Sequence, residues 1–170
     1  QVDTWRGFAA YVNGDVATAV RAVQTHSEAK QISLLGYCFG GLLSTIYTAL
    51  HPQTVKNFIP LSVPVDMGKQ DIAIFNLMKT LDPNLVAGVF GNCPAWIMKM
   101  AFSAMSPVHH LLNKHVGLHR NRDRAGFAGT FALFERWMNS DVPLAGQIFR
   151  EVTTDIFRNN LLAQGKLSVG

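Results

Sequence analysis

A cysteine with glycines on both sides is the feature of this sequence with the clearest chemical meaning. Cys38 lies in the run GYCFGG, residues 36–41, which follows the apolar residues 32–35 and precedes a helix-forming stretch, 42–50. A strand, a tight glycine-flanked turn and a helix together form a nucleophile elbow, which exposes the central side chain at the top of the turn. We therefore predict that Cys38 is a nucleophile that carries an acyl group as a covalent thioester.

The neighbours of Cys38 have predicted roles in the same turn. The backbone amide of Phe39 would be one donor of an oxyanion hole, because it lies near the positive end of the following helix. Gly36 and Gly40 are expected to be glycines because a side chain at either position would collide with the neighbouring strand or helix, and Gly41 extends the elbow motif. The alternative is that Cys38 is a small buried apolar residue beside chance glycines.

Composition is that of an ordinary folded domain. The 170 residues are 48% hydrophobic and 15% charged, which suits one domain with a core of its own. Two cysteines are too few for a disulfide framework, so a reducing compartment is expected. No stretch predicts a membrane span or a signal peptide. A net charge of +4 favours anionic partners weakly, and no nucleic-acid-binding motif accompanies it.

The first third of the chain alternates between helix and strand. The predicted elements are a helix over residues 8–27, a strand over 32–35, a helix over 42–51 and a strand over 55–63. Asp3 or Thr4 would cap the first helix, and Pro52 would end the second. Pro60 cannot donate a hydrogen bond to a sheet, so a bulge or a break is expected there. This order predicts a parallel sheet with right-handed crossovers.

After Asp66 the alternation stops and the sequence becomes rich in Met and Phe. Helices are predicted over residues 72–81, 95–105 and 127–138, and a last one runs from Leu144 towards Leu161. The predicted fold is α/β: a partial α/β-hydrolase fold with a nucleophile elbow and a mainly helical cap. We divide it into a core over 1–66, a cap or lid over 67–150 and a segment over 151–170 that returns towards the core.

The partners that a catalytic cysteine needs are not recognisable in the sequence. In this fold an acidic residue and then a histidine follow the nucleophile along the chain. No candidate aspartate lies in a recognisable acid loop; these are Asp66, Asp123 and Asp155. No histidine comes after His119. We expect the acid and the base to lie beyond Gly170, so that these residues are an internal piece of a longer enzyme and are inactive alone.

Four histidines lie close together in the predicted cap: His109, His110, His115 and His119. The last two are four residues apart and would share one face of a helix. No carboxylate or cysteine completes a ligand set, so neither a metal site nor a cofactor is predicted. The basic run 119–124 is expected to be a solvated loop, with contact to a phosphate-bearing substrate as the alternative. Cys93 is expected to be a packing residue.

The motifs, in their order and spacing, resemble the catalytic subunit of polyhydroxyalkanoate synthases. The similar segments cover nearly the whole chain and lie at residues 35–41, 44–52, 55–57, 64–66, 90–92, 134–137, 143–146, 155–162 and 165–167. The resemblance is nearest to the short, two-component types, class III or class IV. The catalytic subunit of those types works with a second protein.

The resemblance implies an activity and a set of partners. These transferases polymerise (R)-3-hydroxyacyl-CoA, for example 3-hydroxybutyryl-CoA, into polyester and release CoA. The cysteine that matches Cys38 carries the acyl group and the growing chain. A histidine activates it and an aspartate assists the substrate hydroxyl, and both lie C-terminal to the matched region. The resemblance also implies an accessory subunit, a homodimer and a place at the surface of polyester granules in the cytoplasm.

Departures from the family pattern leave two other hypotheses open. Pro60 replaces an ordinary strand residue, Cys93 replaces an aliphatic one, and the run 120–124 is unusually basic. The first alternative is a hydrolase with a cysteine nucleophile, similar to dienelactone hydrolases or thioesterases. The second is a protein that acts only as a binding or interaction module.

Overall fold

The first part of the chain forms a two-stranded parallel sheet with helices against one face. The computed structural model describes residues 3–68, 73–105, 114–121, 124, 126–138 and 142–170. The strands are β1, Ile32–Tyr37, and β2, Val55–Leu61. A π-helical segment, Ala10–Val16, continues into α1, Ala17–Ser27, and α2 is Cys38–Leu50. The predicted alternation and the parallel pairing are both confirmed.

The remaining elements among the described residues are helical. They are α3, Ala73–Thr80; α4, Pro83–Phe90; α5, Ala95–Met105; α6, Lys114–Asn121; α7, Phe127–Met138; α8, Gly146–Glu151; and a second π-helical segment, Val152–Arg158. Helices α3, α5 and α7 were predicted, and α4 and α6 were not. The signal for α4 was present: Asp82 caps it by accepting hydrogen bonds from Asn84 N and Leu85 N, at 2.9 and 3.4 Å, and Pro83 takes the first position.

The start of the first helix differs from the prediction. No side-chain cap is present there, so the capping role expected for Asp3 or Thr4 is wrong. The carbonyl of Thr4 instead accepts a hydrogen bond from the backbone of Gln147, at 2.8 Å. The N–H of Phe8 donates to the carboxylate of Glu151. The Glu151 carboxylate thus takes the place of a local cap for the N–H of Phe8, while the Thr4 carbonyl accepts from an N–H in the first turn of α8.

Pro60 does not interrupt β2, contrary to the expected bulge or break. The strand continues to Leu61, and Pro60 pairs with Gly36. The one register irregularity of the described sheet is at its other end, between Ile32 and Ser33. Within the described residues β2 has a partner on one side only, and a strand at the edge of a sheet tolerates proline.

Two hydrophobic clusters lie side by side. The larger one packs the first helices, one face of the sheet and the last helices together; its most buried members include Phe8, Val12, Leu42, Ile46, Ile148 and Ile156. The smaller one belongs to the helical part and consists of Met78, Val86, Cys93, Ala101 and Phe149. Phe75 and Phe157 pack against both clusters, with ring centroids 5.4 Å apart. The helical part is therefore continuous with the core.

The second face of the sheet carries apolar side chains that the described helices leave half-exposed. The register places Leu35 beside Ile59 and Tyr37 beside Leu61. Their exposed fractions are 61%, 50%, 60% and 52%. Parallel sheets are usually covered on both faces, so only half of this sheet's apolar surface is buried here. Separately, no helix among the described residues is both long and apolar enough to span a membrane.

Asp155 lies in the second π-helical segment, and partial burial and the nearby Glu151 carboxylate raise the pKa of its carboxyl. A raised pKa means that the folded state binds the proton more tightly, so the ionised form at neutral pH destabilises the fold. Asp155→Asn should therefore raise the free energy of unfolding at pH 7, by about half a kcal/mol or less because solvent screens this partly exposed carboxyl.

The difference between the two proteins should shrink as pH falls through the raised pKa, because the folded carboxyl then takes up its proton. It should be smallest below the ordinary value of 3.8, where both states are protonated. Urea unfolding at pH 7 and pH 4 measures both values. Equal stability of the two proteins at pH 7 would contradict the assignment.

Candidate active site

The backbone reverses sharply between β1 and α2. Tyr37 is still extended, with φ −110° and ψ 133°, and α2 begins at the next residue, Cys38. Cys38 has a φ of +50°, in the left-handed backbone region that residues other than glycine and asparagine rarely adopt. A nucleophile elbow holds its central residue in such a strained conformation. The turn predicted from the glycine pattern is therefore present.

Two glycines make this turn possible. A side-chain carbon added at Gly36 would lie 2.7 Å from the Cα of Gly41 and 2.9 Å from the Cβ of Ser44. One added at Gly41 would lie 2.3 Å from a methyl group of Val63 and 2.8 Å from the carbonyl oxygen of Gly36. The strand and the first turn of α2 thus touch backbone to backbone. No other residue type fits either position without moving the helix.

Gly40 does not have the steric role predicted for it. A side-chain carbon added there meets no heavy atom of the described residues within 4 Å. Gly40 borders an open groove of about 320 Å³ between α1, β1 and α2, which is lined mainly by apolar residues such as Val20, Ile32 and Leu43. The close approach that the sequence assigned to positions 36 and 40 is made by positions 36 and 41.

The side chains at the elbow are partly exposed to solvent. Cys38 is a free thiol of intermediate exposure, and Phe39 is also half-buried and packs against the main cluster. The amide of Phe39 lies in the first turn of α2, where backbone N–H groups have no partner within the helix. The roles of nucleophile for Cys38 and oxyanion donor for Phe39 remain predictions that this geometry permits.

The histidines of the sheet region lie away from Cys38. His26 lies in the last turn of α1 and His51 follows α2, so both are at the amino edge of the sheet. His51 is a helix of 13 residues away from Cys38, about 20 Å at the rise of an α-helix, and its Nε2 lies 3.2 Å from Asn13 Oδ1. Neither histidine is placed to act as the base.

The histidines of the predicted cap are only partly described. His115 and His119 lie on α6, as the spacing suggested. His109, His110 and positions 122 and 123 of the basic run lie outside the described residues. Within the described part of the chain, no three His, Cys, Asp or Glu side chains lie close enough together to hold a metal ion.

The loop after β2 is tied to the end of the second π-helical segment. Asp66 Oδ1 accepts hydrogen bonds from Gly68 N, at 2.9 Å, and from Asn160 Nδ2, at 2.8 Å. Asn160 Oδ1 accepts one from Met67 N, at 3.0 Å. From the sequence, Asp66 was expected only as a candidate acid, and no role was predicted for Asn160. The motif 155–162 was the available signal, but the partner of Asn160 lies 94 residues away.

The helical part has a second tie to the core. Cys93 and Leu144 exchange two backbone hydrogen bonds, of 2.8 and 3.0 Å. Asn92 Oδ1 accepts from Gly146 N at 3.1 Å, and a side-chain carbon at Gly146 would lie 2.0 Å from the Gly91 carbonyl oxygen. Two of the motifs noted in the sequence, at 90–92 and 143–146, thus contact each other. Cys93 is fully buried, which confirms that it is a packing residue.

Comparison with known families agrees with this geometry. A sequence model of the alpha/beta hydrolase fold matches residues 4–93, which is 90 of the 170 residues and includes the elbow. The chain therefore belongs to the α/β-hydrolase fold family.

Within that family the similarity extends over nearly the whole chain to one group of proteins. The poly(3-hydroxyalkanoate) polymerase subunit PhaC of Haloferax mediterranei is 29% identical over 169 residues, covering 98% of this chain and 34% of the relative. The subunits of the same name from Thiocystis violacea and Synechocystis sp. are 28% and 25% identical, covering 94% and 99% of this chain. The resemblance inferred from the sequence motifs is confirmed. The chain spans 34% to 46% of the length of these relatives.

The glycine contact gives a matched pair of variants. Gly36→Ala should lower the free energy of unfolding by about 1–3 kcal/mol, because the new methyl group overlaps backbone atoms of Gly41. Gly40→Ala should raise it by about 0.5–1 kcal/mol, since alanine replaces glycine in a helix with open space around it. Urea titration followed by circular dichroism measures both. Equal losses in the two variants would contradict the assignment of the contact.

The two thiols should differ in reactivity. Burial raises the pKa of the Cys93 thiol to about 11, and its side chain has no exposed surface. Native protein treated with iodoacetamide at pH 8 should therefore take up one label, at Cys38, and unfolded protein should take up two. Peptide mass spectrometry locates the labels. Labelling of Cys93 at the rate of Cys38 in native protein would contradict the prediction.

Proposed function

We propose that this chain is the nucleophile-bearing part of a polyhydroxyalkanoate synthase. This acyltransferase polymerises (R)-3-hydroxyacyl-CoA thioesters, with 3-hydroxybutyryl-CoA as the first substrate to test, and releases CoA. The observation that carries the proposal is the position of Cys38, on a glycine-dependent elbow with φ +50°. It lies in a chain that is similar along nearly its whole length to polymerase subunits.

The proposed reaction begins with exchange of one thioester for another. The Cys38 sulfur attacks the thioester carbonyl carbon, a new C–S bond forms, and the bond to the CoA sulfur breaks. CoA leaves as a thiol with the proton that a base removed from Cys38. The amide of Phe39 would donate a hydrogen bond to the carbonyl oxygen as it becomes negative. Because both bonds are thioesters, little energy separates the two sides of this step.

Chain growth then forms an ester. The hydroxyl oxygen of a hydroxyacyl group attacks the carbonyl carbon held on Cys38, the C–S bond breaks, and the hydroxyl proton passes to a base. Water can attack the same carbon and would release a free hydroxy acid. A synthase must therefore keep water away from the acyl-enzyme.

The helical residues 67–150 are proposed to be the cap that limits the access of water. They pack on the core through Phe75 and through the tie between Cys93 and Leu144. They also expose large apolar side chains, including Trp96 at 53% and Trp137 at 65%. Such a surface suits an oily polymer. With this cap, we propose residues 1–66 as the core and residues 151–170 as the segment that returns towards the core.

The resemblance supports further proposals about the whole protein. We propose that the parent enzyme works with an accessory subunit, forms a homodimer and is located at polyester granules in the cytoplasm. We also propose that residues 1–170 alone do not turn over substrate. Neither His26 nor His51, the histidines of the described sheet region, is placed beside Cys38 to remove its proton.

The test uses the full-length parent protein. Cys38→Ala should reduce CoA release from 3-hydroxybutyryl-CoA by roughly a thousandfold or more, because the atom that carries the acyl group is absent. Ellman's reagent measures the released thiol, and gas chromatography after methanolysis measures the polymer. Cys93→Ala is the matched control, since it also removes a thiol, and it should keep CoA release within about tenfold of the parent. Polymerisation by the Cys38→Ala protein would overturn the proposal.

Product analysis separates this function from its alternative. A cysteine hydrolase shares the elbow and would lose activity in the same variant, but its product is the free hydroxy acid. Polymer from the parent protein supports the synthase. Stoichiometric free acid without polymer would assign the chain to a hydrolase instead.

A further inference from the structure

The loop that follows β2 reaches back to the elbow. Ser62, the first residue after the strand, has a φ of +52°, which turns the chain. Val63 then lies over the first turn of α2, where one of its methyl groups fills the space that a side chain at Gly41 would occupy. Gly41 is three residues from Cys38. The position of this loop, residues 62–68, is therefore linked by direct contact to the helix that begins with the nucleophile.

The far end of the same loop is held by the side chains of Asn160 and Lys79. Met67 is 2% exposed, so its backbone polar groups are shielded from water. Its N–H donates to Asn160 Oδ1 at 3.0 Å, and its carbonyl accepts from Lys79 Nζ at 3.5 Å. Without Asn160 the buried N–H of Met67 would lose this partner, which is a costly arrangement.

Both polar atoms of the Asn160 side-chain amide make hydrogen bonds to this loop. Its Nδ2 donates to Asp66 Oδ1 at 2.8 Å, while Asp66 Oδ1 also accepts from the backbone of Gly68. Its own backbone has a φ of +51°, which asparagine tolerates better than most residues. A strained conformation that presents both amide atoms to one loop indicates that the loop's position matters.

Residue 158 fixes the same segment to the helical part. Arg158 donates from Nε to the carbonyl of Lys79 at 2.9 Å, and from its terminal nitrogen to the carbonyl of Leu81. These carbonyls lie at the end of α3 and just after it. The segment 158–160 thus joins the place where the chain leaves the sheet to the helices that we propose as the cap.

We propose that Asn160 and Asp66 are positioning residues for Cys38. Their side-chain hydrogen bond holds loop 62–68 against the first turn of α2, and thereby sets how open the approach to the nucleophile is. They act through Val63 and Gly41 and need not touch substrate. The proposal rests on the proposed role of Cys38, and its test reads the thiol itself.

The test measures the rate of Cys38 alkylation by iodoacetamide in the native chain. Asn160→Asp places a carboxylate against that of Asp66, which should release the loop and raise the rate roughly five- to tenfold, the equivalent of one net hydrogen bond. The exchanged pair, Asp66→Asn with Asn160→Asp, removes the repulsion between the two carboxylates and can form the side-chain hydrogen bond again, now from the amide of residue 66 to the carboxylate of residue 160. Its alkylation rate should therefore be at least twofold below that of Asn160→Asp alone.

Two further variants complete the design. Asn160→Gly removes both hydrogen bonds of the Asn160 side chain, and glycine adopts the positive φ of this position without strain. It should therefore accelerate alkylation even if Asn160→Asp fails to fold. Ile148→Val lowers stability in the buried core of α8 and keeps the loop's hydrogen bonds to Asn160 and Lys79, so it should leave the rate unchanged. Circular dichroism confirms that each variant is folded at the assay temperature.

The outcomes distinguish this inference from the proposed function. An alkylation rate that is unchanged or lowered in both Asn160 variants, or an exchanged pair that reacts as fast as Asn160→Asp alone, would overturn the positioning role. Failure of Cys38 to react in the parent chain would instead argue against its role as nucleophile. Acceleration in Ile148→Val as large as in Asn160→Gly would mean that general destabilisation explains the effect, and would also overturn the inference.

Discussion

The contact between Gly36 and Gly41 is the constraint on which the site depends. Strand β1 and helix α2 can meet within one residue only because neither partner has a side chain at the point of contact. The same approach forces Cys38 to a φ of +50°, a strain of about 1–3 kcal/mol. Helix α2 offsets this strain by burying Leu42 and Ile46 almost completely, and each such side chain contributes about 1.5–3 kcal/mol. Two buried residues of one helix are therefore enough to hold the strained cysteine in place.

Local sequence signals predicted the elements around the elbow well. An apolar run bounded by polar residues, a glycine-flanked turn and a helical period are short-range patterns, and β1, α2 and β2 followed from them. Helix α4 was missed although Asp82 and Pro83 form an ordinary start signal, because the apolar period of its eight residues is short. Pro60 was given too much weight, because the cost of proline depends on whether a strand has neighbours on both sides, and that is a property of the sheet.

The features that could not be predicted from the sequence depend on contacts between residues that are far apart along the chain. Gly40 and Gly41 are adjacent and of one residue type, but only the second faces Val63, a residue on the next strand's loop. The motifs at 90–92 and 143–146 gave no sign that they meet, and Asn160 gave none that it binds a loop 94 residues earlier. Such contacts depend on how the elements pack, and packing of this kind is read from coordinates. The base expected for Cys38 was not identified by either route, since neither His26 nor His51 of the described sheet region is placed for that role.

The two ties between the helical part and the core bear on whether the acyl group that we propose on Cys38 would be transferred or hydrolysed. Water is the solvent and is always in excess, so polymer forms only if the approach to the thioester is shaped to admit a hydroxyacyl group and to exclude water. A cap that moved independently of the elbow could not maintain that shape. Here the chain leaves the sheet beside Asp66, returns beside Asn160, and is joined again between Gly91 and Gly146. The first tie lies on the loop that contacts the start of α2, so in the proposed mechanism a displacement of the helices at that junction would reach the residues around Cys38. The proposed selectivity for transfer over hydrolysis is therefore a property of these contacts as much as of the cysteine itself.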